Sequence, residues 1–236
     1  MIINANDQYI GRSIEVHGAW AQDDIDLIVG LIDLLLQNKP QVTFYDVGAN
    51  IGTHTVAVAR HFGERVAVRS FEAQRQVYYV LCGNVAINGL DNVQVHHAAV
   101  SDNANNSIKV DLPDYTLPNN FGGLELIKTE RTDNQYMTKT RTEEVKTVTI
   151  DQFAEPVDFL KLDIEGMEHL ALLGAKKTID THRPICFVEM WKTDVEAVKK
   201  FFKQANYRAY AYKPDDWIFF PNEGTLGLLN KQPEVL

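Results

Sequence analysis

The sequence predicts one α/β domain, a mostly parallel twisted sheet with helices on both faces. Three observations carry that prediction. Apolar runs of strand length alternate with runs of helical period along most of the chain, the pattern of successive βαβ units. The first such run, residues 42–47, stops at Gly48 and Gly52, and a helical run begins just after. That is a strand, a tight turn and a helix N-terminus, whose free N–H groups favour an anionic or polar ligand. Finally, acids close successive strand runs: Asp46, Glu72, Asp102, Asp163 and Glu189. In open α/β sheets the ligand lies outside those carboxyl ends.

The elements follow in order. Residues 1–22 declare no element, whereas 23–38 carry Ile25, Ile28, Leu31, Ile32 and Leu35 at helical spacing. Asp23 and Asp24 suit that helix start, and Pro40 follows its end. Residues 1–40 are therefore read as a leading helical segment. Residues 42–47 form a central strand, apolar on both faces. A helix over 51–62, a strand over 65–71, a helix around Val77–Ile87 and a strand over 93–100 continue the alternation. Residues 103–156 break it. Their length exceeds the ~2–6 residues of an ordinary βα connection, and two short strands flank a polar stretch. This reads as a hairpin insertion with a lid, in which Tyr115, Phe121 and Tyr136 are the apolar candidates. The alternation resumes with a strand at 157–162, a helix at 167–179, a strand at 184–190 and a helix at 194–204. Residues 207–212 and 217–220 suggest a closing antiparallel pair. One domain over 1–236 accommodates all of this.

Composition excludes several classes. The formal charge of -9 argues against a phosphate-backbone binder, so no nucleic-acid partner is expected. Cys82 and Cys186, each in an apolar stretch, read as free thiols of a reducing compartment. The first ten residues lack a basic region followed by an apolar core, so no signal peptide is read. No run approaches the ~20 apolar residues of a membrane span. A cytoplasmic protein is the default, and nothing predicts its oligomeric state.

The turn Gly48-Ala49-Asn50-Ile51-Gly52 lacks the middle glycine of a dinucleotide fingerprint, and Asp46 precedes it. A pyrophosphate would be repelled there, which speaks against a nicotinamide oxidoreductase. An ammonium or sulfonium would not be repelled. Glu72 can accept two hydrogen bonds from a ribose diol. Together these residues suit S-adenosylmethionine, with its amino-acid end at Gly48–Gly52, its ribose on Glu72 and its adenine near Asp102.

At this point Asp46–Gly52 with Thr55 resembles the first motif of the FkbM family of S-adenosylmethionine-dependent methyltransferases. Phe71-Glu72-Ala73 resembles that family's ribose segment, with Ala73 where proline is frequent. Asn84, Asn88-Gly89 and Ala98 to Asp102 continue the match, as do Leu160 to Gly166, Glu168, Leu173 to Ala175 and Val188-Glu189. The resemblance spans about residues 42–190 and includes Trp217–Pro221. It implies a class I, Rossmann-like fold with an antiparallel last strand, and usually methylation of a hydroxyl. It also implies cofactor contacts at Asp46, Gly48, Asn50, Gly52, Thr55, Glu72, Ala73, Ser101, Asp102 and Asp163.

Methylating a hydroxyl requires an aligned donor and acceptor and a base for the proton. Asp163 and Glu165, at the end of strand four, are the candidates. Asp163 would orient substrate or sulfonium; Glu165 would be base or substrate ligand, or simply a charge favoured at a helix N-terminus. Glu189, Trp191 and His169 are secondary substrate candidates. Lys161 is expected to point away or to pair with a carboxylate, since an unpaired buried lysine is costly. Asp163, Glu165 and Glu189 are oxygen donors of the type Mg²⁺ takes, but nothing in their spacing requires an ion, and no metal is expected. A small molecule or saccharide is the expected acceptor; a nucleic acid or protein acceptor is the alternative.

Overall fold

The computed structural model describes residues 1–127 and 137–223. Tyr136, one of the three predicted lid aromatics, lies outside them. Among the described residues the strands are β1 (Val42–Val47), β2 (Val66–Glu72), β3 (Val93–His97), β4 (Ala99–Val100), β5 (Ser107–Pro113), β6 (Met137–Val148), β7 (Phe159–Leu162), β8 (Ile185–Glu189), β9 (Tyr207–Ala211) and β10 (Asp216–Pro221). The helices are α1 (Ile10–His17), α2 (Gln22–Leu36), α3 (Thr53–Phe62), α4 (Arg75–Ile87), α5 (Glu168–Leu173), α6 (Lys176–His182) and α7 (Val195–Gln204).

Seven strands form the main sheet in the order β3-β2-β1-β7-β8-β10-β9. The five from β3 to β8 run parallel, and β10 runs antiparallel to both β8 and β9. The strand order reverses between β1 and β7, so the crevice of the switch point opens there. Alternation along β1 serves two cores. Phe44 faces a cluster with Ile28, Ile32, Val58 and Phe62, from α2 and α3. Tyr45 and Val47 face Ala171, Ile179, Val198 and Phe202, from α5, α6 and α7. Helices on both faces follow from a strand that is apolar on both. Among the described residues no helix is long and apolar enough to cross a membrane.

Four boundaries differ from the sequence reading. Residues 93–100 are two strands: β3 ends where the Ala98 N–H donates to the Glu72 carbonyl at 3.1 Å, and β4 then joins a second sheet, β4-β6-β5. The insertion is a hairpin whose β6 is far longer than expected, pairing with β5 antiparallel and β4 parallel. Residues 167–179 are two helices, because Gly174 sits against the Ser101 carbonyl. A Cβ there would lie 2.0 Å from that oxygen. Helix α1, unpredicted, sits in a small cluster with Ile51, Val77 and Phe121.

That cluster brings the N-terminal segment and the insertion together. Asn119 N–H donates to the Asn6 carbonyl and Gln8 N–H to the Asn119 carbonyl, both at 2.9 Å. The amides of Asn4 and Asn6 donate to the Tyr115 carbonyl at 3.2 and 3.1 Å. Gln74 Nε2 donates to the Phe121 carbonyl at 2.7 Å. Phe121 is buried against Tyr115, their ring centroids 4.9 Å apart.

Candidate active site

The turn after β1 lies directly on the turn after β7. A Cβ at Gly48, φ 79°, would be 1.7 Å from the Asp163 carbonyl oxygen, so only glycine fits. The N–H groups of Gly48 and Ala49 both donate to the Phe71 carbonyl, at 3.1 and 2.9 Å. Asn50, at φ 50°, turns its N–H onto Glu72 Oε2 at 2.9 Å. Gln74 N–H donates to Glu72 Oε1 at 2.7 Å. The β1 turn and the end of β2 thus hold one carboxylate from two sides. Burial lifts the Glu72 carboxyl to about 7, with the Gln74 and Asn50 N–H groups resisting the rise. Each oxygen keeps a lone pair for a further donor.

Beneath this turn lies a buried charge pair. Lys161, 1% exposed, places Nζ 3.3 Å from Asp46 and 3.2 Å from Asp163. It also donates to the Gly48 carbonyl at 3.4 Å. Thr55 Oγ1 donates to Asp46 Oδ2 at 2.7 Å and lies 2.7 Å from Ser70 Oγ. Burial works against the Lys161 ammonium, and Asp163 and Asp46 together more than offset it, raising it above an ordinary lysine. Burial likewise opposes the charge on Asp46, and Lys161 overcomes it. His54, buried beside them, is pushed down to about 4 by burial and Lys161, and is therefore neutral.

The turn after β7 is shaped by Glu168. Its carboxylate accepts the Ile164 N–H at 2.8 Å and the Gly166 N–H at 3.1 Å, which lets Glu165 adopt φ 55°. Glu165 then meets Lys192, whose Nζ lies 2.8 Å from it and 3.1 Å from Glu125. Lys192 also donates to the Gly123 carbonyl at 3.3 Å. One buried ammonium thus ties the β7 turn to the insertion. Burial and Asp163 raise Glu165 to about 7, with Lys192 resisting. Carboxylate oxygens of Asp163, Glu165 and Glu189 come within 4.8 Å of one another. An oxygen-liganded cation fits such a spacing, but ammoniums already neutralise Asp163 and Glu165.

These turns wall a cavity of about 300 Å³. Gly48, Asn50 and Glu72 line it from the β1 turn and the end of β2, and Asp163, Glu165 and Glu189 from the ends of β7 and β8. Ala73, Val100, Leu124 and Leu126 supply an apolar side, and Tyr9, Trp20 and Trp191 line it from the N-terminal segment and the end of β8.

The model of the "Methyltransferase FkbM domain" matches residues 46–209. The chain belongs to the FkbM methyltransferase family. Comparison with curated proteins finds no match. Among solved structures, the fold is similar to methyltransferase FkbM from Methylobacillus flagellatus KT, at TM-score 0.54 and 18% identity, over 77% of this chain and 44% of that one. It is similar to monomeric WbdD at TM-score 0.52 and 11% identity, over 89% of this chain and 44% of that one. An rRNA methylase from Streptococcus thermophilus matches at TM-score 0.43 and 14% identity, over 77% of this chain and 86% of that one. The chain spans under half the length of the first two.

Within this FkbM domain the predicted residues fall into three places. Gly48, Asn50, Glu72, Ala73, Asp163, Glu165, Glu189 and Trp191 line the cavity. Asp46, Gly52 and Thr55 stand behind its wall, where Asp46 and Thr55 anchor Lys161 and the start of α3. Ser101, Asp102 and His169 are not among the lining residues; the Ser101 hydroxyl donates to Asp102 at 3.1 Å. Sequence reasoning missed Lys192, Glu125, Tyr9 and Trp20 in the wall or its support. A lysine two residues past a strand end carries no signal that it is buried. His96 stacks on Phe71 and His97 on Tyr78.

The raised carboxyls predict a pH effect on the ligand-free domain. Glu72 and Glu168 each sit near 7, mainly through burial. A carboxyl whose folded pKa exceeds its unfolded value contributes stability that is complete below about 4.3 and lost as pH rises through the folded value. Thermal melts should therefore give a higher Tm near pH 5.5 than near pH 8, in a window of roughly 4.5 to 7. A Tm that rises across that window would contradict the assignment.

Proposed function

We propose that this domain is an S-adenosylmethionine-dependent methyltransferase acting on a hydroxyl of a small molecule or saccharide, in the cytoplasm. The observation that carries the reading is Glu72. It closes β2, it is held by the Asn50 and Gln74 N–H groups, and it opens on the same cavity as the acids that end β7 and β8. The donor set fits the cofactor. Glu72 would take the ribose diol, Ala73, Val100 and Leu124 the adenine, the Gly48–Asn50 turn the amino-acid end, and Asp163 the neighbourhood of the sulfonium. When bound, S-adenosylmethionine supplies a methyl group on a positively charged sulfur.

The chain's own residues then have three tasks. The paired turns after β1 and β7 fix where two ligands meet, and alignment of this kind can supply ~7–11 kcal/mol. The cover of α1 and the insertion reduces water in the cavity, which strengthens every electrostatic contact inside it. Asp163 and Glu165 orient the acceptor hydroxyl, and a carboxylate of the cluster they form with Glu189 receives its proton. Tyr9 and Trp191, 55% and 44% exposed, line the same cavity as the carboxylates. An apolar face beside hydrogen-bond acceptors suits a sugar ring. The charge of -9 supports a neutral acceptor over a polyanion.

Calorimetry with S-adenosylmethionine and with NADH tests the cofactor. Binding of the first is expected; binding of NADH alone would overturn the reading. A methyl-transfer screen over monosaccharides, glycolipids and simple alcohols then tests the acceptor, with transfer confined to nitrogen or to RNA as the contrary result.

A further inference from the structure

We propose that Glu189 is the group that takes the acceptor's proton, with Asp163 and Glu165, each beside an ammonium, as its orienting neighbours. This rests on the hydroxyl-methylation reading above and assigns a role that the family match leaves open.

Three carboxylates converge on the cavity, and two of them have a cation. Lys161 lies 3.2 Å from Asp163, and Lys192 lies 2.8 Å from Glu165. Among the described residues no ammonium, guanidinium or imidazole lies within 4.0 Å of Glu189, which lines the cavity and is partly buried. A carboxylate already paired with an ammonium is a weak base, because the pair stabilises its ionised form. The unpaired member of the trio is the one that gains most from a proton. Its other neighbours act in the same direction. Asp216 stands opposite Glu189 in the β10–β8 register, and Glu168 lies under the β7 turn. Burial first, then Asp163, Glu165, Glu168 and Asp216, push the Glu189 carboxyl well above the usual range. A base of higher pKa is the better match for a hydroxyl proton at neutral pH.

The step balances within these groups. The hydroxyl oxygen bonds to the methyl carbon as the carbon–sulfur bond breaks, with that electron pair left on a now neutral sulfur. The hydroxyl proton passes to Glu189, which becomes a neutral carboxylic acid. Accepting it removes one negative charge from the crowded trio, so the proton transfer also relieves repulsion.

Carboxyl titration by NMR tests this without cofactor or acceptor. The protein carries δ-¹³C-labelled glutamate, and Glu189→Gln identifies the Glu189 signal by its loss. Should that variant not fold, Glu189→Asp removes the same signal. Titrated from about pH 4 to about pH 10, Glu189 is expected to protonate at higher pH than Glu165. Glu165 protonating above Glu189, or Glu189 within the ordinary carboxylate range, would overturn the proposal. Mg²⁺ alone, added to the wild-type protein in a calorimeter, probes the competing role. Saturable binding abolished by Glu189→Gln would also overturn it, because the trio would then hold an ion; no binding supports it. On an acceptor identified by the hydroxyl screen, Glu189→Gln should lower kcat by ~10²–10⁴-fold with cofactor affinity retained. Failure of the wild-type protein to bind S-adenosylmethionine would instead sink the methyltransferase reading, leaving the titration result standing by itself.

Discussion

Lys161→Met should destabilise the domain by ~3–5 kcal/mol, the usual cost of stranding one partner of a buried ion pair. The geometry explains why the cost falls at the upper end. Asp46 is fully buried and its Oδ1 has no hydrogen bond, so the charge is answered there by Lys161 at 3.3 Å. Methionine matches the volume but leaves Asp46 charged and uncompensated, or forces it to take a proton. Urea unfolding measures the loss. The double variant Asp46→Asn/Lys161→Met should recover much of it, since asparagine carries no charge and can still accept the Thr55 hydroxyl. A single-variant loss under about 1 kcal/mol, the scale of an exposed pair, would mean that water reaches the ammonium. The same substitution frees the Gly48 carbonyl and Asp163, so cofactor affinity should fall as well. In this way a buried cation links the stability of β1 and β7 to the shape of the cavity between them.

The sequence displayed the frame of this site better than its interior. Strand-end acids were legible because apolar runs of strand length stop at them, and Asp46, Glu72, Asp163 and Glu189 do end or nearly end β1, β2, β7 and β8. Gly48 and Gly52 were legible because a strand that meets a helix so abruptly needs positive φ, and they have φ 79° and 90°. What stayed hidden depends on contacts between distant segments. The β3/β4 break goes with the pairing of β4 to β6, and the α5/α6 break with the approach of Gly174 to the Ser101 carbonyl; neither segment shows its partner alone. Helix α1 was missed because its apolar residues face the insertion rather than the main sheet, so the pattern is short. Lys192 reads as a surface lysine until Glu125 and Glu165, from two other segments, close around it. Charge pairing between remote stretches leaves no local period, and it is such pairing that sets the electrostatics here.

Glu72→Gln should weaken S-adenosylmethionine binding by roughly 10–150-fold, which is the ~1.5–3 kcal/mol of hydrogen bonds to a charged group expressed at 1.4 kcal/mol per tenfold. The amide keeps the shape but sets an NH₂ against either the Asn50 or the Gln74 N–H, which now donate to the two carboxylate oxygens at 2.9 and 2.7 Å. One backbone donor loses its partner, and a ribose hydroxyl loses a charged acceptor. Glu72 also predicts the pH profile. Burial lifts its carboxyl to about 7 in the free protein. The ionised form accepts at both oxygens, so a bound ribose lowers that pKa and binding releases a proton between the two values. Affinity should therefore rise with pH up to about 7 and level off above it. The cofactor's own amine titrates too, which is why the comparison with the variant decides the matter: the difference between the wild-type and Glu72→Gln curves isolates this one group. Calorimetry in buffers of different ionisation enthalpy counts the released proton. If both proteins give the same pH profile, or no proton is released below pH 7, the ribose lies elsewhere and the carboxylate at the end of β2 only holds the glycine turn in place.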